Sequence, residues 1–235
     1  MTEFLLFDID DTLLDFGKAE AGAVSRTFTK AGLPVTDGIL RRYSEINNFV
    51  WGELEGGRMT RDEILLKRFT LLFDELGITA SCEAIQSSYE YELGVGHYFV
   101  DGAEELLNTL YGKYRMFIVS NGTLSVQERR IKSAGIAKYF EKIFVSEKIG
   151  YHKPSREFFE TCFAQIPDFD RDRALIIGDR LSSDILGGIN AGIKTCWFNP
   201  KHMMPDPDIP ADFEIDSLAE LPGLLNKINL AKTEN

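Results

Sequence analysis

Acidic residues, a hydroxyl and a lysine follow short apolar runs at four separate places in the chain. These residues are Asp8, Asp10, Asp11 and Thr12, then Ser120, Asn121 and Gly122, then Lys153, and finally Asp179 with Asp184. Two carboxylates about 5 Å apart repel by roughly 3 kcal/mol at an effective dielectric near 20, so gathering these acids would require a cation. Oxygen ligands without nearby His or Cys suit Mg²⁺, which also takes oxygens from a phosphate. The set therefore indicates phosphoryl transfer.

Each of these residues also has an ordinary structural explanation when it is taken alone. An Asp at the end of a strand is common in turns, and Ser120-Asn121-Gly122 is a good turn sequence. Lys153 precedes a proline and fits a solvated loop, and Asp184 fits the first turn of a helix, where the dipole favours an acid. The functional interpretation therefore depends on the four segments meeting in the fold.

Continuous apolar runs predict the elements that bring these segments together. The runs are residues 4–7, 116–119, 143–145, 174–177, 195–198 and 213–215. Such runs are typical of strands buried on both faces, and the helical patterns between them predict a parallel sheet. Ligands bind beyond the carboxyl ends of such strands, where the acids and the lysine lie. We therefore predict an α/β fold with a Rossmann-like parallel sheet core.

The long stretch after the first strand shows helical patterns and no convincing strand. Thr60 and Glu63 form a capping box, and the apolar stripe that follows ends at Gly77. The stretch is too long for a simple crossover between two strands. We predict an inserted helical-bundle cap domain at residues 17–100, with residues 1–16 and 101–235 forming the α/β core.

Two further helices of the core carry local capping signals. Ser155 can cap one helix, with Phe158 and Phe159 on its buried face. Ser182 can cap another, with Ile189 facing inward and Gly192 at its end.

Composition and charge limit the partners of this protein. It has 235 residues, of which 44% are hydrophobic, so it can form a packed core. No apolar run approaches the roughly 20 residues of a membrane helix, and the start lacks a signal-peptide pattern, so we expect a cytoplasmic protein without a membrane partner. The net charge of −11 argues against a nucleic-acid polymer as a partner. We expect a monomer or homodimer.

The cysteines and the end of the chain carry no chemistry in this interpretation. Cys82, Cys162 and Cys196 are odd in number and far apart, so we predict three buried, small apolar residues without disulfides. We expect residues 230–235 to be frayed.

The four segments resemble, in order and spacing, the signatures of haloacid dehalogenase-like hydrolases. The matching segments are Asp8-Ile9-Asp10-Asp11-Thr12-Leu13, Val119-Ser120-Asn121-Gly122, Lys153-Pro154, and Gly178-Asp179 through Asp184. The helical insert lies where this family places its first-type cap. Further segments resemble a subgroup of pyrimidine 5′-nucleotidases, namely Trp51, Gly56-Gly57, the run from Asp184 to Gly192, and Cys196-Trp197.

The resemblance implies a role for each motif residue. Asp8 would attack phosphorus, Asp10 would act as general acid and then base, and Lys153 would neutralise charge on the phosphoryl group. The resemblance implies Ser120, Asn121 and Lys153 as phosphate ligands, Asp8, Asp10 and Asp179 as Mg²⁺ ligands, and Asp184 and Thr12 as residues that orient them. The substrate would be a small phosphorylated metabolite, and the subgroup suggests a nucleoside 5′-monophosphate.

Other functions remain open from the sequence. A sugar-phosphate phosphatase or a phosphomutase shares the aspartates, whereas a C–halogen hydrolase has no use for the proton donor Asp10. A phospho-acceptor signalling module also uses Asp, Mg²⁺, a hydroxyl and Lys, but it has no large helical insert. Tyr43, Phe49 and Trp51 could stack on a base, although their spacing favours packing among helices.

Overall fold

The computed structural model describes residues 1–231, which divide into an α/β unit and a helical unit. The α/β unit comprises residues 1–15, 99–124 and the chain from residue 135 onward, and the helical unit comprises residues 16–98 and 125–134. The strands are β1 (Phe4–Phe7), β2 (Arg115–Ser120), β3 (Lys142–Val145), β4 (Ala174–Gly178), β5 (Lys194–Phe198) and β6 (Phe213–Ile215). The α-helices are α1 (Phe16–Lys30), α2 (Asp37–Glu55), α3 (Arg61–Leu76), α4 (Cys82–Leu93), α5 (Ala103–Leu110), α6 (Leu124–Ala134), α7 (Ser146–Ile149), α8 (Arg156–Phe163), α9 (Leu186–Ala191) and α10 (Leu221–Ala231).

The α/β unit is built on one parallel sheet with the order β3-β2-β1-β4-β5-β6. All six predicted apolar runs lie in strands, which confirms the predicted Rossmann-like fold. The strand order changes direction at β1, because the chain continues to β2 and β3 on one side and to β4, β5 and β6 on the other. A ligand crevice forms at such a switch point, beyond the carboxyl ends of the strands.

The strands are apolar throughout because both faces of the sheet are covered. On one face Phe4 and Leu6 of β1 pack in a cluster with Phe158 and Phe159 of α8, whereas their neighbours Leu5 and Phe7 are also fully buried. Burying a side chain of this size contributes about 1.5–3 kcal/mol. A sheet stabilised in this way is a firm support for the loops at its carboxyl edge.

The helical unit has its own apolar core, formed by helices α1 to α4 and α6. Its local signals behave as predicted, since Thr60 and Glu63 form a capping box and Gly77 ends α3 with φ 64°. The unit also takes in α6, which the sequence analysis assigned to the core together with its neighbours in the chain. The reason is packing: Val126 joins the apolar cluster of the helical unit, and Arg129 donates a hydrogen bond to the main-chain oxygen of Glu90. The assignment of residues 17–100 to a cap domain stays a prediction.

One of the two capping predictions is confirmed and the other is wrong. Ser155 caps α8 by accepting a hydrogen bond from Phe158 N. Ser182 is not an N-cap residue, because it lies inside a π-helical turn, Leu181–Ile185, that precedes α9, and the N-cap position of α9 is Ile185. Ile189 is 40% exposed, although Gly192 does end the helix as predicted.

The cysteine prediction is confirmed for two of the three residues. Cys162 and Cys196 are buried, whereas Cys82 is half-buried because it begins α4 beside the hydroxyl of Thr70. Within residues 1–231, no helix combines the length and the hydropathy needed to span a membrane. Leu230 belongs to α10, and residues 232–235 of the tail predicted to fray lie outside the described residues.

Candidate active site

The four sequence segments meet at the carboxyl edge of the sheet, on both sides of the switch point. Asp8 directly follows β1, and its N–H extends the ladder by bonding to Ile177 O of β4 at 2.9 Å. Asp179 directly follows β4, so the two acids leave adjacent parallel strands side by side. Beyond Asp8 the chain turns sharply through Asp11, which has φ 57°, a left-handed conformation that Asp tolerates better than most residues.

Lys153 is the centre of this arrangement. Its ammonium donates to Asp8 Oδ1 at 2.6 Å, to Asp184 Oδ1 at 2.6 Å and to Val119 O at 2.9 Å, so all three of its protons have acceptors. The residue is 1% exposed. Burial lowers the pKa of Lys153, but the carboxylates of Asp184 and Asp8 outweigh it and hold this pKa above its ordinary value. A fixed positive charge therefore lies against the Asp8 carboxylate.

Asp184 reaches Lys153 from the π-helical turn that follows β4. The N–H groups of Asp184 and Ile185 both bond to Arg180 O, at 2.9 and 3.3 Å, which widens the turn. The second carboxylate oxygen of Asp184 accepts a hydrogen bond from Arg180 N at 3.1 Å. Such single-turn π segments are frequent at functional sites. Here the turn presents Asp184 to the lysine with both carboxylate oxygens engaged.

The acids at this edge form a cluster with the composition of a hard-cation site. Asp8, Asp179 and Asp184 each have one carboxylate oxygen that lies within 4.8 Å of those of the other two. Burial raises the pKa of Asp8 to about 8; Lys153 opposes this shift, and Asp184 and Asp10 add to it. Burial, followed by Asp8 and Asp184, also raises the pKa of Asp179 well above its ordinary value. A single lysine does not balance these acids, so the cluster fits a divalent cation with oxygen ligands.

The remaining predicted residues support the same edge of the sheet. Thr12 is buried, and its hydroxyl donates to Asp179 Oδ1 at 3.3 Å. Ser120 is buried, and its hydroxyl oxygen accepts a hydrogen bond from Gly122 N at 3.0 Å. The side chain of Asn121 is hydrogen-bonded to the main chain of Lys153. Asp10 is half-buried, and its charge is close enough to raise the pKa of the Asp8 carboxyl.

Sequence reasoning missed the part that Trp197 plays at the site. Its indole N–H donates to the main-chain oxygen of Asp179 at 2.9 Å, which ties the end of β5 to the acid that follows β4. A buried Trp usually finds an acceptor for this N–H. The Trp in the predicted strand 195–198 could therefore have indicated a hydrogen bond at the end of that strand. From the sequence, Trp197 is predicted only as part of a buried strand and as part of the resemblance to a subgroup.

The three aromatic residues proposed for base stacking differ in their burial in the helical unit. Tyr43 is fully buried, and its ring packs against those of Phe69 and Tyr89, so packing accounts for it. Phe49 is 56% exposed. Trp51 is half-buried, with the guanidinium of Arg61 over its ring at 5.6 Å. The packing interpretation that the sequence favoured is therefore correct for Tyr43 and for Trp51, which packs against the same apolar cluster.

Comparison with known proteins places this geometry in a family. The sequence model of the haloacid dehalogenase-like hydrolase family matches residues 5–198, and this range contains all four sequence segments. The chain belongs to the haloacid dehalogenase-like hydrolase family. This membership confirms the resemblance inferred from the motifs.

Three relatives of this hydrolase align with it over almost their whole length. The HAD-hydrolase YfnB of Bacillus subtilis is 41% identical over 94% of both chains, and its solved structure, bound to magnesium, superimposes with a TM-score of 0.92 over 96% of this chain and 99% of that chain. The pyrimidine 5′-nucleotidase PynA of Streptococcus pneumoniae is 33% identical over 98% of both chains. The pyrimidine 5′-nucleotidase YjjG of Escherichia coli is 30% identical over 96% of this chain and 98% of that protein.

Proposed function

We propose that this hydrolase cleaves phosphate monoesters with Mg²⁺ through an aspartyl-phosphate on Asp8, and that its substrates are pyrimidine nucleoside 5′-monophosphates. The observation that carries the proposal is the contact of 2.6 Å between Lys153 Nζ and Asp8 Oδ1 beside the carboxylates of Asp179 and Asp184. The Lys153 ammonium favours the ionised form of Asp8, and that is the form that attacks phosphorus.

The first half of the reaction transfers the phosphoryl group to the protein. A carboxylate oxygen of Asp8 attacks phosphorus, an O–P bond forms, and the bond from phosphorus to the ester oxygen breaks. Asp10 gives its proton to that oxygen, so the nucleoside leaves as a neutral alcohol. The Ser120 hydroxyl, the Asn121 main-chain N–H and Lys153 Nζ hold the phosphoryl oxygens during the transfer.

The second half returns the protein to its starting state. Asp10, now a carboxylate, takes a proton from a water molecule as that water attacks the phosphorus of the aspartyl-phosphate. The bond between phosphorus and the Asp8 oxygen breaks, inorganic phosphate is released, and Asp10 is protonated again. Lys153 keeps its contact with Asp184 throughout, so the ammonium does not follow the departing phosphate.

The donor set of the site fits the cation that the proposal requires. Asp8 and Asp179 would hold Mg²⁺ through carboxylates and Asp10 through its main-chain oxygen, while Asp184 and Thr12 orient the surrounding groups. When bound, Mg²⁺ supplies positive charge that stabilises the phosphoryl oxygens in the transition state. The relative YfnB has been solved with magnesium, which supports the same ion here.

The proposed substrate class depends on the relatives. PynA and YjjG are both named pyrimidine 5′-nucleotidases, and each aligns with nearly the whole of this chain. A small phosphorylated metabolite as the partner also agrees with the net charge of −11, which disfavours a polymeric nucleic acid. The cytoplasmic location and the state of monomer or homodimer stay predictions from the sequence.

The test is a measurement of free phosphate released by the purified protein with Mg²⁺. Uridine, cytidine and thymidine 5′-monophosphates are compared with purine nucleotides and hexose phosphates, and we expect the pyrimidine nucleotides to give the highest kcat/KM. Faster hydrolysis of hexose phosphates would make this a sugar-phosphate phosphatase. A phosphorylated protein that persists without turnover would indicate a signalling module.

The nucleophile is tested with a matched pair of aspartate variants. Asp8→Asn removes the attacking carboxylate at nearly constant shape, so we expect phosphate release to fall by at least about a thousandfold, more than roughly 4 kcal/mol in the barrier. Asp208→Asn, at an exposed position of the α/β unit, is the control and should leave the rate unchanged. Near-native turnover by Asp8→Asn would remove the nucleophile assignment.

A further inference from the structure

The side chain of Asn121 holds the main chain of Lys153 at two points. The N–H of Lys153 donates to Asn121 Oδ1 at 2.8 Å, and Asn121 Nδ2 donates to the main-chain oxygen of Lys153 at 2.9 Å. Thirty-two positions separate the two residues in sequence. An amide paired in this reciprocal way fixes both the distance and the orientation of the peptide groups on either side of the Lys153 Cα.

Lys153 needs such an anchor because of where it lies in the chain. It occupies the segment between α7, which ends at Ile149, and α8, which begins at Arg156, so neither a helix nor a strand of the sheet holds its main chain. Its side chain has four rotatable bonds, yet the ammonium must meet Asp8 at 2.6 Å inside the protein. A displacement of the Cα would be transmitted to the ammonium.

The same short segment at the end of β2 holds both ends of the lysine. The ammonium donates to Val119 O at 2.9 Å, and the main chain is held by Asn121, two residues further on. Asn121 is itself anchored, because the hydroxyl of Ser146 donates to its main-chain oxygen at 3.2 Å. From the other side, Asn190 of α9 donates to Pro154 O at 3.0 Å. The lysine is therefore fastened to β2, the strand that pairs with β1 and its nucleophile.

We propose that Asn121 is a positioning residue, whose side-chain amide fixes Lys153 against Asp8 instead of binding the phosphoryl group. The phosphate-binding role that the family resemblance implies for Asn121 falls to its main-chain N–H, the amide that follows Ser120. The placement of Lys153 stands independently of any activity, whereas the effect on turnover rests on the proposed function.

Asn199 offers a matched control for this arrangement. Its side chain makes the same reciprocal pair with the main chain of Met203, accepting from Met203 N at 2.8 Å and donating to Met203 O at 3.0 Å. It is buried and belongs to the same unit, but it contacts none of the acids at the site. Asn121→Ala and Asn199→Ala therefore remove the same reciprocal pair at two places, and Asn199→Ala also removes the donor to Glu214 Oε1 at 2.6 Å.

The kinetic test compares kcat and KM of these two variants with the wild type on the best nucleotide. Asn121→Ala should lower kcat by roughly 10- to 100-fold, the effect of misplacing a catalytic group by about 1 Å, with KM changed less than about threefold. Asn199→Ala should keep kcat within about twofold, since its loss disturbs no group of the site. A rise in KM at constant kcat for Asn121→Ala would show that the amide binds substrate, and would overturn the proposal.

A structural readout separates this proposal from the proposed function. In a crystal structure of Asn121→Ala, the Lys153 ammonium should no longer lie within hydrogen-bond distance of Asp8, whereas in Asn199→Ala it should keep its contact. An ammonium that stays on Asp8 in Asn121→Ala would overturn the positioning role even if the enzyme is a phosphatase. Should Asn121→Ala fail to fold, the same two measurements on Asn121→Asp decide, because Asp keeps the acceptor and loses the donor.

Discussion

Gly178 provides the space that the Asp184 side chain occupies. A Cβ atom at position 178 would lie 2.3 Å from Asp184 Cγ and 2.5 Å from Asp184 Cβ. Both distances are far shorter than two non-bonded carbon atoms can approach. Asp184 in turn bonds Lys153 Nζ at 2.6 Å. The absence of a side chain at the last residue of β4 is thus transmitted through two contacts to the lysine beside the nucleophile.

Substitution of Gly178 should therefore damage the site more than the fold. Gly178→Ala displaces Asp184, so we expect phosphate release to fall by about 10- to 100-fold, while overpacking costs about 1–3 kcal/mol of unfolding free energy. Steady-state kinetics and urea unfolding measure the two effects. Gly223→Ala in α10 is the control, because its Cβ would meet no atom within 4 Å and both quantities should change little. Native activity in Gly178→Ala would mean that Asp184 can move without consequence.

Trp197 should report on the cation through its bond to Asp179. The protein has two tryptophans, so Trp51→Phe leaves Trp197 as the sole indole. Its N–H donates to Asp179 O, and we expect Mg²⁺ added after EDTA treatment to change the indole emission at the concentrations that restore phosphate release. Asp179→Asn should abolish both responses. An emission spectrum unchanged while activity returns would place the ion away from Asp179.

The sheet and its chemical edge could be predicted from sequence because both follow from one constraint. A strand buried on both faces must be apolar throughout, so a run such as residues 174–177 predicts a strand from its own residues, without knowledge of the strands that pair with it. Parallel strands end at the same edge, so Asp8 and Asp179 had to lie close together.

Contacts between residues that are far apart in the chain could not be predicted from the sequence. Ser182 carries a good local capping signal, yet the observed turn is centred on Arg180 O, which accepts two N–H bonds next to the Asp184 contact with Lys153. Asn121 sits in a sequence typical of a turn, and nothing within a few residues indicates that its partner is Lys153. Helix α6 lies between two strands in sequence, but Val126 packs with the helical unit.

Asp10 should control both halves of the proposed reaction. Asp10→Asn cannot protonate the leaving alcohol or activate water, so we expect single-turnover kinetics to show both steps slowed by roughly 10²- to 10⁴-fold. Asp168→Asn is a matched control, because this exposed Asp also has φ 57°, a left-handed conformation that Asn tolerates, and the rate should change little. Weaker substrate binding with normal rates in Asp10→Asn would contradict the acid–base role.

The helical unit offers a prediction about stability that is independent of the active site. Arg68 is 3% exposed and donates to Asn47 Oδ1 at 2.9 Å and to Gln86 Oε1 at 2.8 Å, which links three helices inside the bundle. Asn47 continues this chain by donating to Glu20 Oε1 at 2.8 Å. Arg68→Leu would leave buried acceptors without donors, so we expect the free energy of unfolding to fall by about 3 kcal/mol or more.

Arg42 is exposed and bonds to two carboxylates, yet its loss should lower the free energy of unfolding far less than the loss of Arg68. It bonds both carboxylate oxygens of Glu75, at 2.6 and 2.7 Å, and also Glu45 at 2.8 Å. Water solvates these charges when the pair is broken, so Arg42→Leu should cost less than about 1 kcal/mol. Urea unfolding followed by circular dichroism measures both variants. Equal losses would mean that burial does not set the cost, and that the polar chain through Arg68 contributes no more to the bundle than a surface ion pair.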